Sequence, residues 1–115
     1  MTVKLAIATM ILLAVPASGS DNLRMSVSPT VSTEPAIIRV RVSVEPHDDN
    51  RSIQIQAESA DYFRSSEVQL DGDSARNRQF EYRGLPAGDY EIRGILLGRD
   101  GRTRATTEYQ VTVTP

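Results

Sequence analysis

A two-residue alternation of apolar and polar positions runs through most of this chain. From Ala36 to Glu45, the side chains of Ile38, Val40, Val42 and Val44 fall on one side of an extended backbone, and those of Arg39, Arg41, Ser43 and Glu45 on the other. Successive strand residues point to opposite faces, so this run predicts a strand with one face on a core and one in water. The period recurs along the chain. Leu23, Met25 and Val27 alternate with Arg24, Ser26 and Ser28 in a first strand ended by Pro29, and Ile53, Ile55 and Ala57 alternate with Gln54, Gln56 and Glu58. Ser66, Val68 and Leu70 oppose Glu67 and Gln69, while Phe80 and Tyr82 point inward from a short strand. Tyr90, Ile92, Gly94 and Leu96 share a face opposite Glu91 and Arg93. In the last strand Ala105, Thr107, Tyr109, Val111 and Val113 oppose a wholly polar side. Turn formers separate these runs: Pro46 to Asn50, Asp71-Gly72-Asp73 and Gly98 to Gly101, with residues 30–35 a polar connection. No segment after the N-terminal stretch has helical periodicity. The pattern predicts an all-β chain folded as a single Greek-key sandwich of about seven antiparallel strands.

Two places break the alternation. Ile95 and Leu97 fall on the outer face of their strand, which predicts a bulge near Gly94 or a covering loop. Tyr62 and Phe63 are adjacent, so in an extended segment they cannot both face one core. With Arg64 they are candidate partner contacts, since aromatic and Arg side chains favour interface centres; packing at the sandwich rim is the plainer account of the pair.

Gly84-Leu85-Pro86-Ala87-Gly88-Asp89-Tyr90 reads as a sharp corner delivering Tyr90 to the start of a strand. Pro86 ends the preceding strand, Gly84 and Gly88 permit a reversal, Leu85 can fold beneath the turn, and the Tyr90 hydroxyl needs a nearby backbone partner. The string resembles the tyrosine corner of immunoglobulin-like and fibronectin type III domains, which opens strand F. With Phe80 and Tyr82 before it, it also resembles the carboxypeptidase-regulatory or transthyretin-like sandwiches. The first resemblance implies that the Greek-key β-sandwich is a single immunoglobulin-like bacterial module, the second that it is an accessory domain of an envelope complex.

Composition narrows the setting. Lys4 followed by the apolar run Leu5 to Val15, with small residues around Ala17 and Gly19, reads as a secretory signal over 1–19, leaving 20–115 as the domain. That run is shorter than the roughly 20 residues needed to span a bilayer, so no transmembrane span is expected after cleavage. The chain is therefore expected to be exported, to the periplasm or the medium. With no Cys and no Trp, it lacks the disulfide and buried Trp of antibody domains, and packing must hold the fold. The formal net charge is −2. Arg and acid alternate along the strands, which reads as a mixed solvated surface with cross-strand pairs, and a nucleic-acid reader would be basic on balance.

Candidate chemistry is sparse. His47, Asp48 and Asp49 can supply metal ligands, with Asp71 and Asp73 joining them only if their loop lies at the same end, but the spacing matches no defined motif. The same residues form a polar hairpin turn. A Ser-His-Asp triad would have to use His47, the single histidine, without any nucleophile context. No catalytic residue and no cofactor is assigned. The sequence reads as an exported, non-catalytic module with a binding or structural role, its partner another envelope or extracellular protein or a glycan, reached through end loops or a sheet edge. A small metal-binding or hydrolytic protein is the remaining alternative.

Overall fold

The computed structural model describes residues 22–70 and 76–115. The expected signal segment lies outside them, as do Asp71 and Asp73. Eight strands make two sheets packed face to face, and no helix occurs among the described residues: β1 (Leu23–Ser28), β2 (Val31–Thr33), β3 (Ala36–Val44), β4 (Asn50–Glu58), β5 (Phe63–Gln69), β6 (Arg76–Leu85), β7 (Gly88–Gly98) and β8 (Thr103–Thr114). One sheet has the order β1-β3-β6, the other β2-β8-β7-β4-β5. All pairings are antiparallel except β2 with β8, where Val31 to Thr33 run parallel to Thr112 to Thr114. The first strand thus lies in the sheet opposite the last. The connection read as polar coil contributes β2, a strand too short for periodicity to register.

The alternation becomes burial. β3 alternates without a break between buried and exposed residues, from Ala36 to Val44. Its inner side chains, with Leu23, Met25 and Val27 of β1, face Ile53, Ile55 and Ala57 of β4 and Tyr90, Ile92 and Leu96 of β7. Gly94 lies at the centre of this contact. A Cβ there would meet Met25 Sδ at 3.1 Å and Thr107 Cγ2 at 3.2 Å, so the glycine lets the two sheets approach. Gly94 is in regular register with Ile55 and Thr107. The bulge expected near it falls two residues on, where the register with β8 shifts between Leu96 and Leu97, and a second shift lies between Asn50 and Ser52 of β4. There the chain enters and leaves the turns that close this end of the sandwich.

Two tyrosines tie distant parts of the fold. Tyr82, 2% exposed, sends its hydroxyl from β6 across to the other sheet, donating to the Ile55 carbonyl at 3.2 Å, with Ser66 Oγ of β5 at 3.1 Å. Tyr90 donates to the Pro86 carbonyl at 2.7 Å, which closes the corner over fully buried Leu85. Gly84 has φ 72° there, a left-handed value that L side chains disfavour. Burial raises the phenol pKa of both tyrosines, an effect that the Ser66 hydrogen bond to Tyr82 reduces.

Candidate functional site

Net charge hides a division between the sheets. Within the described residues of β1, β3 and β6, the outer face carries Arg24, Arg39, Arg41 and Arg83 against one acid, Glu81, and Glu45 follows just past the end of β3. Glu81 is shared by Arg39 at 3.8 Å and Arg83 at 3.4 Å. On the outer face of the five-stranded sheet stand Glu58, Glu67, Asp89, Glu91 and Glu108, with Arg93 among them. Arg93 is shared in turn by Glu91 at 2.9 Å and Glu108 at 3.1 Å. The expected mixed surface is therefore corrected: cross-strand pairs exist on both faces, but the excess is cationic on one and anionic on the other.

An open recess of about 490 Å³ lies over the cationic face, lined by the segments Arg24 to Ser26, Arg41 to Ser43 and Asn77 to Gln79. The register sets its grid. Arg24 pairs with Ser43 and Ser26 with Arg41, so the two guanidinium groups stand diagonally across a β1–β3 pair. Gln79 lies beside Arg41 and Asn77 beside Ser43. Among the described residues no carboxylate lines the recess, and neither Arg24 nor Arg41 has an acidic partner within salt-bridge distance. The site offers Arg fork donors flanked by hydroxyl and amide groups, a set suited to an oxyanion. Sequence reading passed over it. Each strand's polar side is legible, but which polar sides share a sheet depends on the strand order.

The sequence candidates fall elsewhere. In the β3–β4 turn, His47 Nδ1 accepts from the Asp49 backbone N–H at 3.0 Å. The Arg99 side chain donates to the Asp48 carbonyl at 2.6 Å, and the Arg99 N–H donates to the Asp49 carbonyl at 3.0 Å. These bonds dock the turn onto the β7–β8 turn and occupy one imidazole nitrogen. Among the described residues no three His, Cys, Asp or Glu side chains converge as a metal site. Tyr62, Phe63 and Arg64 divide between roles. Tyr62 packs edge-on against Tyr90 at a centroid distance of 5.8 Å, and the Arg64 guanidinium lies 5.8 Å over Tyr62. Phe63 stands on the outer face opposite Glu58, 57% exposed. Leu85, Pro86, Gly88 and Tyr90 form the corner.

On the anionic face, Glu91 is the perturbed group. Its carboxyl pKa is raised from the ordinary value of 4.5, first by the hydrogen bond shared with Glu108, then by desolvation and the Glu108 charge. Arg93 opposes the shift and Glu58 adds to it.

No family model matches the chain, and no curated protein matches it. Its fold is similar to the solved structure of a superoxide reductase (neelaredoxin) from Ignicoccus hospitalis, with a TM-score of 0.62 and 16% identity, over 83% of this chain and 82% of that one. This finding overturns the expectation of a non-catalytic binding or structural module. A sandwich of matching extent serves that enzyme, so the fold does not exclude catalysis. At this identity the likeness shows the fold and assigns no chemistry to the chain. The donors here do not fit a redox-metal centre: Cys is absent, His47 is the single histidine, and no third ligand converges on it among the described residues. What the likeness establishes is the architecture, an all-β two-sheet sandwich shared with a superoxide reductase.

Proposed function

We propose that this chain is an immunoglobulin-like sandwich whose three-stranded sheet recognises an oxyanion-bearing ligand on its outer face. The observation that carries the reading is the recess floored by Arg24 and Arg41 with no carboxylate in its lining among the described residues. Two flanking arginines, Arg39 and Arg83, are only partly neutralised by their shared Glu81. Arg guanidinium groups bind carboxylate and phosphate through paired, charge-assisted hydrogen bonds, and Ser26, Ser43, Asn77 and Gln79 supply further donors at the rim. The immunoglobulin-like assignment is supported by the Tyr90 corner and by the distribution of strands between the two sheets.

The test is calorimetric titration with polyphosphate and with polyglutamate. Binding that weakens steeply with salt, and is lost in Arg24→Glu/Arg41→Glu but kept in Arg99→Ala/Arg102→Ala at the β7–β8 turn, supports the reading. Binding indifferent to Arg24 and Arg41 rejects it. Redox turnover, the reading brought by the likeness to a superoxide reductase, is measured separately. Metal content and superoxide consumption of the purified chain decide it.

A further inference from the structure

The two outer faces are complementary in sign and in spacing. From this we infer that the arginine face of one copy docks on the glutamate face of a second copy, Arg24 and Arg41 meeting Glu91 and Glu108. The inference rests on the reading of the arginine face as an oxyanion site, and it names one carboxylate source. Among the described residues the strands of one face set Arg24, Arg39, Arg41 and Arg83 against Glu81, and those of the other set Glu58, Glu67, Asp89, Glu91 and Glu108 against Arg93. Both grids are set by the same sheet dimensions. Neighbouring strands lie about 4.8 Å apart and alternate residues about 6.8 Å apart, so guanidinium groups on one sheet match carboxylates on another at strand spacing.

The glutamate face carries an unmet demand. Glu58 stands opposite Glu91 in the β4–β7 ladder, a like-charge pair. Glu91 and Glu108 divide one guanidinium between them, and their proximity raises the Glu91 pKa. A second guanidinium arriving from outside relieves that repulsion. Phe63 adds an exposed ring beside Glu58, a surface on which an incoming Arg can stack. On the opposite face Ile37, 38% exposed, is the apolar counterpart. Both faces are sheet surfaces, and aligned sheets pack about 10 Å apart with their strands within about 30° of each other. The contact joins unlike faces, so it is heterologous and each copy retains one free face of each sign; association continues with concentration rather than stopping at a symmetric pair.

Sedimentation equilibrium of the purified chain tests this. At about 10 mM salt, where charges interact over about 30 Å, the weight-average mass should rise with protein concentration; at about 1 M salt, where screening acts within about 3 Å, it should return to the monomer value. Arg24→Glu/Arg41→Glu and Glu91→Arg/Glu108→Arg should each be monomeric alone. Mixed in equal amounts they should associate again, because the reversed arginine face then meets the reversed glutamate face. A wild type that is monomeric at low salt, or a pair of variants that associate alone as the wild type does, overturns the inference. The wild-type salt series needs no variant, so a misfolded mutant leaves the test intact. Polyglutamate binding by a monomeric wild type would refute self-docking and leave the oxyanion site standing; loss of both would refute both.

Discussion

At the scale of single residues, two phenols do different work with the same group. Tyr90 bonds four residues back, to Pro86, and so stabilises a local reversal. Tyr82 spans the sandwich to Ile55 and Ser66, and so joins two sheets. Removing either hydroxyl leaves a carbonyl without one of its donors, and buried hydrogen bonds of this kind are worth about 1–3 kcal/mol. Tyr90→Phe and Tyr82→Phe should each lower the unfolding free energy by that amount in urea titration. An effect within error of zero for Tyr90→Phe would mean that the corner is held by Leu85 and the glycines alone. Because burial raises both pKa values above 10.0, the phenols' contribution to stability is complete below that pH. It is lost as pH rises through the raised values, since the unfolded phenol ionises first. Each Phe variant should therefore show a shallower loss of stability in alkali than the wild type.

At the scale of strands, packing and charge give predictions of opposite sign. Gly94 of β7 has no room for a branched side chain between Met25 and Thr107, and Gly94→Val should destabilise by about 1–3 kcal/mol through overpacking. Glu91→Gln, one residue of outer face away on the same strand, should stabilise at neutral pH. The raised pKa of Glu91 means that the folded chain holds a proton more tightly than the unfolded one, so Glu91 disfavours folding above its raised value. That penalty disappears as pH falls toward 4.5, the ordinary value, and the stability–pH curves of wild type and Glu91→Gln should converge there; curves that run parallel from neutral pH to 4 would contradict the assignment. This level also shows what the sequence made legible. The inner faces of β1, β3, β4 and β7 follow from alternation because one residue step reverses every side chain, and the corner follows because its partners are four residues apart. The parallel β2–β8 pairing was hidden, since three residues carry no period and Val31 pairs with Thr112 at the far end of the chain. The irregularity at Leu96 and Leu97 was legible near Gly94 from the outward Ile95 and Leu97, whereas the one between Asn50 and Ser52 left no break in the alternation to announce it. The arginine recess was missed for a related reason: Arg24, Arg41 and Gln79 come together only when β1, β3 and β6 share a sheet.

For the whole molecule, the consequence of this layout is uneven stability between the strands of one sheet. β4 and β7 lie inside the five-stranded sheet, bonded on both sides, and bury Ile53, Ile55, Ile92 and Leu96 completely. β5 is an edge strand bonded to β4 alone, with an inner side of Ser66 and Val68 that is only half buried. Local opening is least costly where few apolar contacts and few shared hydrogen bonds are broken, so β5 should open sub-globally while β4 and β7 open only with the whole fold. Hydrogen exchange should show the β4-bonded amides of β5 exchanging at least about tenfold faster than those shared by β4 and β7. The Tyr82 hydroxyl makes the test specific. It is the cross-sheet tie that holds Ser66 of β5 to β6, so Tyr82→Phe should accelerate exchange in β5 beyond the acceleration it causes in β7. Equal acceleration in the two strands would show that the sandwich opens as one cooperative unit and that the tyrosine stabilises the fold as a whole rather than fastening its edge.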